Sequence, residues 1–215
     1  MKVEVDILRV GTRKDTVYGD HKVVEGFCSA VVLIRGGGHN IIVDPGAGGF
    51  EDVILARLSE LGLKPEDIDI LVNTHSHIDH IYNNYLFKQA MIYTPASIWY
   101  RNEDDRAEIY GDITKVEIPV VELINTPGHQ EKHISVIAKS EGKTFVVAGD
   151  AVRENIIEGG YVLAVYPHPQ QYLNSMKKIF EIADVIIPGH GPVIEGEKLE
   201  RLKEKIKTMR IEGED

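Results

Sequence analysis

Four times along this chain an apolar run of strand length ends in a turn that carries histidine or aspartate. Residues 68–72 precede His75-Ser76-His77-Ile78-Asp79-His80, and residues 120–125 lead into Thr126-Pro127-Gly128-His129. Residues 144–148 lead into Gly149-Asp150, and residues 183–187 into Pro188-Gly189-His190-Gly191. A hydrophobic core does not accept such groups unless each finds a partner. Strand ends on one edge of a sheet, by contrast, can deliver distant residues to one point, and glycine beside them lets backbone approach closely. The pattern therefore calls for a sheet-based fold with a polar centre at the ends of its strands.

The first motif carries the sharpest chemistry. His75 and His77 alternate, so in an extended or loop backbone they project to the same side. Asp79 repeats that offset, and His80 turns to a neighbouring direction as a helix begins. Neutral imidazoles and a carboxylate are what zinc, iron or manganese accept as ligands. A lone histidine at a strand end is more often an ordinary hydrogen-bonded residue, whereas four potential ligands within six positions read as a metal site for two ions. Five of the nine histidines, His75, His77, His80, His129 and His190, fall in this constellation.

The string Thr74-His75-Ser76-His77-Ile78-Asp79-His80, with Thr126-Pro127-Gly128-His129, Gly149-Asp150, Gly189-His190-Gly191 and Val43-Asp44-Pro45-Gly46, resembles the metallo-β-lactamase superfamily. The likeness covers nearly the whole chain, in the family's motif order. Asp79 and Asp150 resemble the hydrolases of the superfamily; the true β-lactamases carry cysteine at the place of Asp150. The diiron flavoproteins differ as well, with glutamate at the place of His77. The stretches around His80, Asp150 and His190 are similar to the small single-domain members called metallo-β-lactamase domain-containing protein 1.

This resemblance implies an α/β fold, the αββα sandwich, in which two mixed sheets pack face to face with helices outside. It also implies that His75, His77 and His129 hold one metal, Asp79, His80 and His190 a second, and that Asp150 bridges them. Two zinc ions are the implied cofactor, with iron or manganese as alternatives. A metal-bridging hydroxide would be the nucleophile, and Asp79 would also act catalytically, orienting that hydroxide or protonating the leaving group. The expected reaction is hydrolysis of a small ester, thioester or lactone. A phosphodiesterase or ribonuclease built on the same two metals and a mononuclear iron sulfur dioxygenase stand as alternatives. A non-enzymatic scaffold is disfavoured because no ligand position is lost.

Further residues are candidates for the surroundings of the metals. Asp44 is read as accepting a hydrogen bond from a ligand imidazole, or else as capping the turn before Pro45-Gly46. His133, four residues past His129, resembles the thioesterase branch, glyoxalase II. Arg153, Tyr166 and His168 are candidates for the pocket mouth. Residues 11–26, with Tyr18 and His21, are too long for a tight hairpin and are read as a flap over the metals. His39, beside Gly36-Gly37-Gly38, is read as a turn residue.

With 215 residues, 43% of them hydrophobic, the chain is expected to form one domain over 1–215. No stretch of about 18 apolar residues would span a membrane, and residues 1–6 alternate like a strand rather than forming a signal peptide. The single cysteine, Cys28, excludes an internal disulfide, lies in the apolar run 27–34 and is expected to be inert. Cytoplasm is the expected location. A net charge of −10 opposes general attraction to nucleic acid without excluding a local basic groove. Residues 198–210 mix Lys and Glu at helical spacing and read as a solvated helix face. The expected partner is a small-molecule substrate, with a homodimer through an edge strand or apolar patch as the other candidate.

Strands are predicted over 3–10, 27–35, 40–43, 68–72, 90–93, 115–118, 121–125, 133–138, 144–148 and 185–187, with a hairpin turn at 140–143. Helices are predicted over 51–61, from His80 to about 87, 169–182 and 197–209.

Overall fold

The computed structural model describes residues 2–18, 21–100 and 106–213. The chain opens with β1 (Val3–Arg9), β2 (Thr12–Tyr18), β3 (His21–Cys28), β4 (Val31–Gly36) and β5 (His39–Val43). Then come α1 (Glu51–Glu60), β6 (Ile70–Val72), α2 (Ile78–Ile81), β7 (Met91–Tyr93), β8 (Ser97–Tyr100) and β9 (Arg106–Ile109). The second half holds β10 (Val121–Asn125), β11 (Ile134–Ser140), β12 (Lys143–Gly149), α3 (Glu154–Gly159) and β13 (Tyr161–Val162). It closes with α4 (Pro169–Ile182), β14 (Val185–Pro188), β15 (Ile194–Glu195), α5 (Gly196–Lys207) and β16 (Arg210–Ile211).

Seven strands form one sheet in the order β1-β4-β5-β6-β7-β8-β9, and five form another in the order β10-β11-β12-β14-β15. The central strands are apolar on both faces, and residue parity sorts each side chain to its layer. Val32, Ile34, Ile41, Val43, Ile70 and Val72 of the first sheet meet Val136, Ala138, Val147 and Ile187 of the second. Their odd-one-out neighbours point the other way: Val31, Leu33, Ile42 and Leu71 pack under Ile54 and Leu58 of α1. On the far side, Ile137, Val146, Ala148 and Ile186 pack under α3, α4 and α5. Helix, sheet, sheet, helix is thus the order of layers, as the sequence leads one to expect. At about 1.5–3 kcal/mol per fully buried aliphatic side chain, this burial outweighs any single polar contact in the molecule.

Helix α4 matches its predicted span. Pro169 starts it, where the missing N–H costs nothing, and Leu173, Met176, Ile179 and Phe180 form its buried stripe. The stripe of α5 is Leu199, Leu202 and Ile206, while Lys198, Arg201 and Lys205 of its solvent side pair with Glu154 and Glu158 of α3.

Strand direction places the site. β5 runs parallel to β6, and β12 runs parallel to β14. β10 and β12 are both antiparallel to β11, so they too run the same way. The C-terminal ends of β5, β6, β10, β12 and β14 therefore lead into Asp44, the 73–80 loop, His129, Asp150 and His190.

Several local expectations are corrected. Residues 27–35 are not one strand: Ser29 and Ala30 separate β3 from β4, and their amides donate to the carbonyls of Asp79 and Gly189 instead of a ladder. Residues 113–115 form a short 3-10 turn where a strand was expected at 115–118, and Ile118 makes only an isolated bridge to Val121. The 11–26 segment is a two-stranded hairpin of β2 and β3, with Tyr18 opposite His21; residues 19–20 lie outside the described residues. The length that argued against a tight hairpin is taken up by the seven and eight residues of the strands themselves, with a bulge between Thr12 and Lys14. His39 opens β5 opposite Gly36, leaving Gly37 and Gly38 to make the turn. Cys28 is fully buried, burial pushes its thiol pKa up, and its sulfur accepts the Ala47 amide at 3.2 Å. The turn at 140–143 forms as predicted, with Glu141 and Gly142 both at positive φ.

Candidate metal centre

Beyond the ends of these strands, the seven residues expected to bind metal form two adjoining nests. His75, His77, His129 and Asp150 make one, and Asp79, His80 and His190 the other, with the ligand-type atoms of each within 4.8 Å of one another. In the first, His75 Nε2 and His129 Nε2 each lie 3.0 Å from His77 Nδ1, and Asp150 Oδ2 lies 3.2 Å from His129 Nε2. In the second, Asp79 Oδ2 lies 3.1 Å from His190 Nε2 and 3.5 Å from His80 Nε2. Asp150 Oδ1 completes that nest, 3.4 Å from His190 Nε2 and 3.5 Å from His80 Nε2. Asp150 therefore turns one oxygen to each nest.

The donor set fits a pair of cations. Atoms about 2.0–2.1 Å from a tetrahedral ion stand roughly 3.3 Å apart, which is the spacing seen here. Asp79 Oδ2, His80 Nε2, Asp150 Oδ1 and His190 Nε2 are buried and make no hydrogen bond among the described residues. Four orphaned polar atoms at one point would be costly unless a cation completes them.

Protonation follows the same logic. Burial, with neighbouring imidazoles, pushes His75 down; burial also lowers His77, and brings His129 down to about 4 against the opposing pull of Asp150. These rings are thus neutral, as metal ligands must be. Burial would raise Asp150, but His80, Arg153 and His190 hold its pKa well below the carboxylate range. Burial would likewise lower His80, but Asp44 and Asp150 overcome it and raise it to about 10. That proton sits among carboxylates where a bound cation would take its place.

A buried aspartate orients two of the rings. Asp44 holds positive φ after β5 and is 1% exposed. Its Oδ2 accepts from His80 Nδ1 at 2.7 Å and from Thr74 Oγ1 at 2.7 Å, and its Oδ1 accepts the Thr74 amide. Because the Thr74 hydroxyl has one proton and gives it to Asp44, it accepts from His75 Nδ1 at 3.0 Å. With a cation in place of the extra His80 proton, both rings would then point bare Nε2 atoms at the centre. His190 does the same by donating Nδ1–H to the Thr12 carbonyl at 3.2 Å.

His133 is buried, stacks on His75 with ring centroids 4.9 Å apart, and meets Thr126 Oγ1 through Nδ1. Burial lowers its pKa to about 3. Arg153 donates Nη2 to Asp150 Oδ2 at 2.8 Å and lines a cavity of about 1010 Å³ beside His190 and the β2–β3 hairpin. Tyr166 packs between His129 and Tyr172. His168 lines a second cavity, of about 720 Å³, that opens over His75, His77 and His129. The centre thus lies between two openings.

Sequence reading missed Thr74 as a relay, although it stands next to His75. It also missed Tyr172, whose hydroxyl donates to the Asp150 carbonyl at 2.9 Å from the buried face of α4; nothing in a helical stripe marks one tyrosine as polar support.

The match to known proteins is consistent with this geometry. The model of the metallo-β-lactamase superfamily matches residues 24–190. The chain belongs to this superfamily. A "Probable metallo-hydrolase" of Methanocaldococcus jannaschii is 37% identical over 165 residues, 74% of each chain. Metallo-β-lactamase domain-containing protein 1 of Xenopus laevis is 34% identical over 193 residues, covering 87% of this chain and 79% of that one. A metallo-β-lactamase-type structure from Thermotoga maritima superposes with a TM-score of 0.68 at 21% identity, over 91% of this chain and all of that one, and supports the fold alone. As a superfamily member with metallo-hydrolase relatives, the chain is a metal-dependent hydrolase. Among the described residues no helix is long and apolar enough to cross a membrane.

Proposed function

We propose that this metallo-β-lactamase superfamily member is a dinuclear hydrolase, with zinc in both positions, acting on a small ester, thioester or lactone. The observation that carries the reading is the placement of Asp150, with Oδ2 in one nest and Oδ1 in the other. A carboxylate shared in this way offsets the repulsion between two cations, which imidazoles cannot do. His75, His77 and His129 would hold one ion, Asp79, His80 and His190 the other. When bound, the ions would supply a water of lowered pKa as nucleophile and polarise the scissile carbonyl.

The chain's own groups do the rest. Asp44 keeps His80 and His75 in the tautomer that presents Nε2. Asp79, buried yet held ionised because His190 and His80 outweigh the cost of burial, would orient the attacking water, accept its proton and hand that proton to the leaving group. Arg153 fixes Asp150 by donating to Oδ2, the oxygen that faces His129. The two openings admit the two arms of a substrate to either side of the scissile bond.

One observation favours a second reading, phosphodiester cleavage: Arg13, Lys14 and Arg153 line the larger cavity. Asp15 and Glu25 pair with Arg13 and Lys14 and offset most of that charge. Elemental analysis of protein purified without added metal should find two zinc ions per chain, and dialysis against chelator should abolish hydrolysis of p-nitrophenyl acetate and of a short thioester. Full activity after stripping would overturn the proposal. Cleavage of bis-nitrophenyl phosphate with no action on esters would select the second reading, and one iron per chain would select the dioxygenase.

A further inference from the structure

The cavity over His75, His77 and His129 does not end at the metal centre. It shares Asn73, Ile81 and Thr94 with a further cavity of about 460 Å³ that runs on to Trp99, Asn84 and Lys88. Together they form a groove leading from the reacting centre along the end of β6 and past β7. Asn73 stands at the join. It is 3% exposed, its Oδ1 is buried with no partner, and no hydrogen bond from its side chain is made among the described residues. Farther along, the Oδ1 of Asn84 is also buried without a partner. An unmet buried acceptor costs about 1–3 kcal/mol, so an occupant toward which these amides swing out from their sealed positions recovers that cost.

The geometry of that pairing selects a class. A side-chain amide offers one acceptor and one donor next to each other. A residue of an extended peptide presents its own N–H and C=O to the same side, as in the hydrogen-bonded pairs of an antiparallel ladder. It can therefore satisfy Asn73 at two points while the chain continues both ways. Plain alkyl chains offer neither group. The half-exposed indole of Trp99 supplies an apolar wall. We infer that this groove is a subsite for a peptide-like arm of the substrate, an extended aminoacyl unit whose N–H and C=O pair with the Asn73 amide. The inference rests on the proposed hydrolytic centre and adds which compounds that centre serves.

Trp99 is the sole tryptophan of the chain, so its fluorescence reports occupancy of the groove without reference to turnover. The probes are N-acetyl-trialanine, whose carboxylate mimics a hydrolysed product at the metals, and its three singly N-methylated forms, each lacking one N–H. With zinc-loaded protein, titration should change Trp99 emission, and N-methylation at one position should weaken binding at least tenfold. In Asn73→Leu that difference should vanish, leaving the four peptides within about twofold of one another. Asn73→Ala serves the same end if the leucine variant melts early. Absence of any fluorescence change at millimolar peptide, equal binding of all four peptides by the wild type, or a preference that survives in both variants would each overturn the inference. Hydrolysis of p-nitrophenyl acetate, measured on the same wild-type sample, reports separately on the catalytic reading: an inactive protein that still discriminates the peptides would sink that reading and leave the groove standing.

Discussion

Asp44 lines neither cavity beside the centre, yet its carboxylate accepts three hydrogen bonds, from His80 Nδ1 and from the amide and hydroxyl of Thr74, and through Thr74 it reaches His75. Its left-handed backbone, φ 50°, is a conformation aspartate tolerates better than most residues because its short side chain bonds locally. Asp44→Asn should keep the fold but put an N–H or a weaker acceptor opposite His80 Nδ1, losing about 10- to 100-fold in metal affinity. Competition with a chromophoric chelator would measure this, and unchanged affinity would show that Asp44 only caps its turn. The same scale explains what sequence could and could not tell. His75, His77 and His80 announce themselves because three imidazoles in six positions have few structural uses. Asn73 and Tyr172 do not, since an unpaired amide or a polar tip in a buried stripe is visible only once neighbours are placed.

At the scale of elements, glycine at the strand ends sets how closely the nests can close. A Cβ on Gly189 would stand 2.3 Å from Asp150 Oδ1 and 2.9 Å from His80 Cε1. Gly149, at φ 52°, leaves no room for one beside Thr74 Oγ1. Gly189→Ala should therefore push Asp150 off its position, lose the second metal and destabilise by about 1–3 kcal/mol; elemental analysis and a thermal melt would register both. The β2–β3 hairpin carries a separate, milder device. Asp15 accepts from Arg13 and Lys22, chiefly Arg13, which lowers its pKa to about 2 although burial opposes the shift. A lowered folded pKa means the contribution is present above the unfolded value near 3.9 and is lost as pH falls through about 2. Solvent exposure keeps it well under about 1 kcal/mol. An NMR titration should place Asp15 near 2, and Arg13→Ala should return it toward 3.9; an unmoved midpoint would refute the pairing.

For the whole molecule, two sheets meet through a dry interface while five of their strands aim at one shared edge. The apolar interface makes the fold independent of metal, so a chelated sample should remain folded. Orphaned ligands and mutually repelling carboxylates at the edge make it less stable than the loaded protein. Removal of metal should lower Tm by several degrees, and stoichiometric zinc should restore it, because a cation that binds only the folded state stabilises it by mass action. A Tm indifferent to chelation would argue against a filled site.

The order of layers followed from the resemblance to a known family, while most strand positions and the ligand-type residues could be read from the chain by itself, because strand-length apolar runs and metal-ligand chemistry leave local signatures in composition and spacing. The break at Ser29-Ala30, the pairing of β2 with β3, the relay from Asp44 through Thr74 to His75 and the groove past Asn73 belonged to tertiary structure. Each depends on which distant backbone or side chain arrives beside it, and no local window of residues contains that partner.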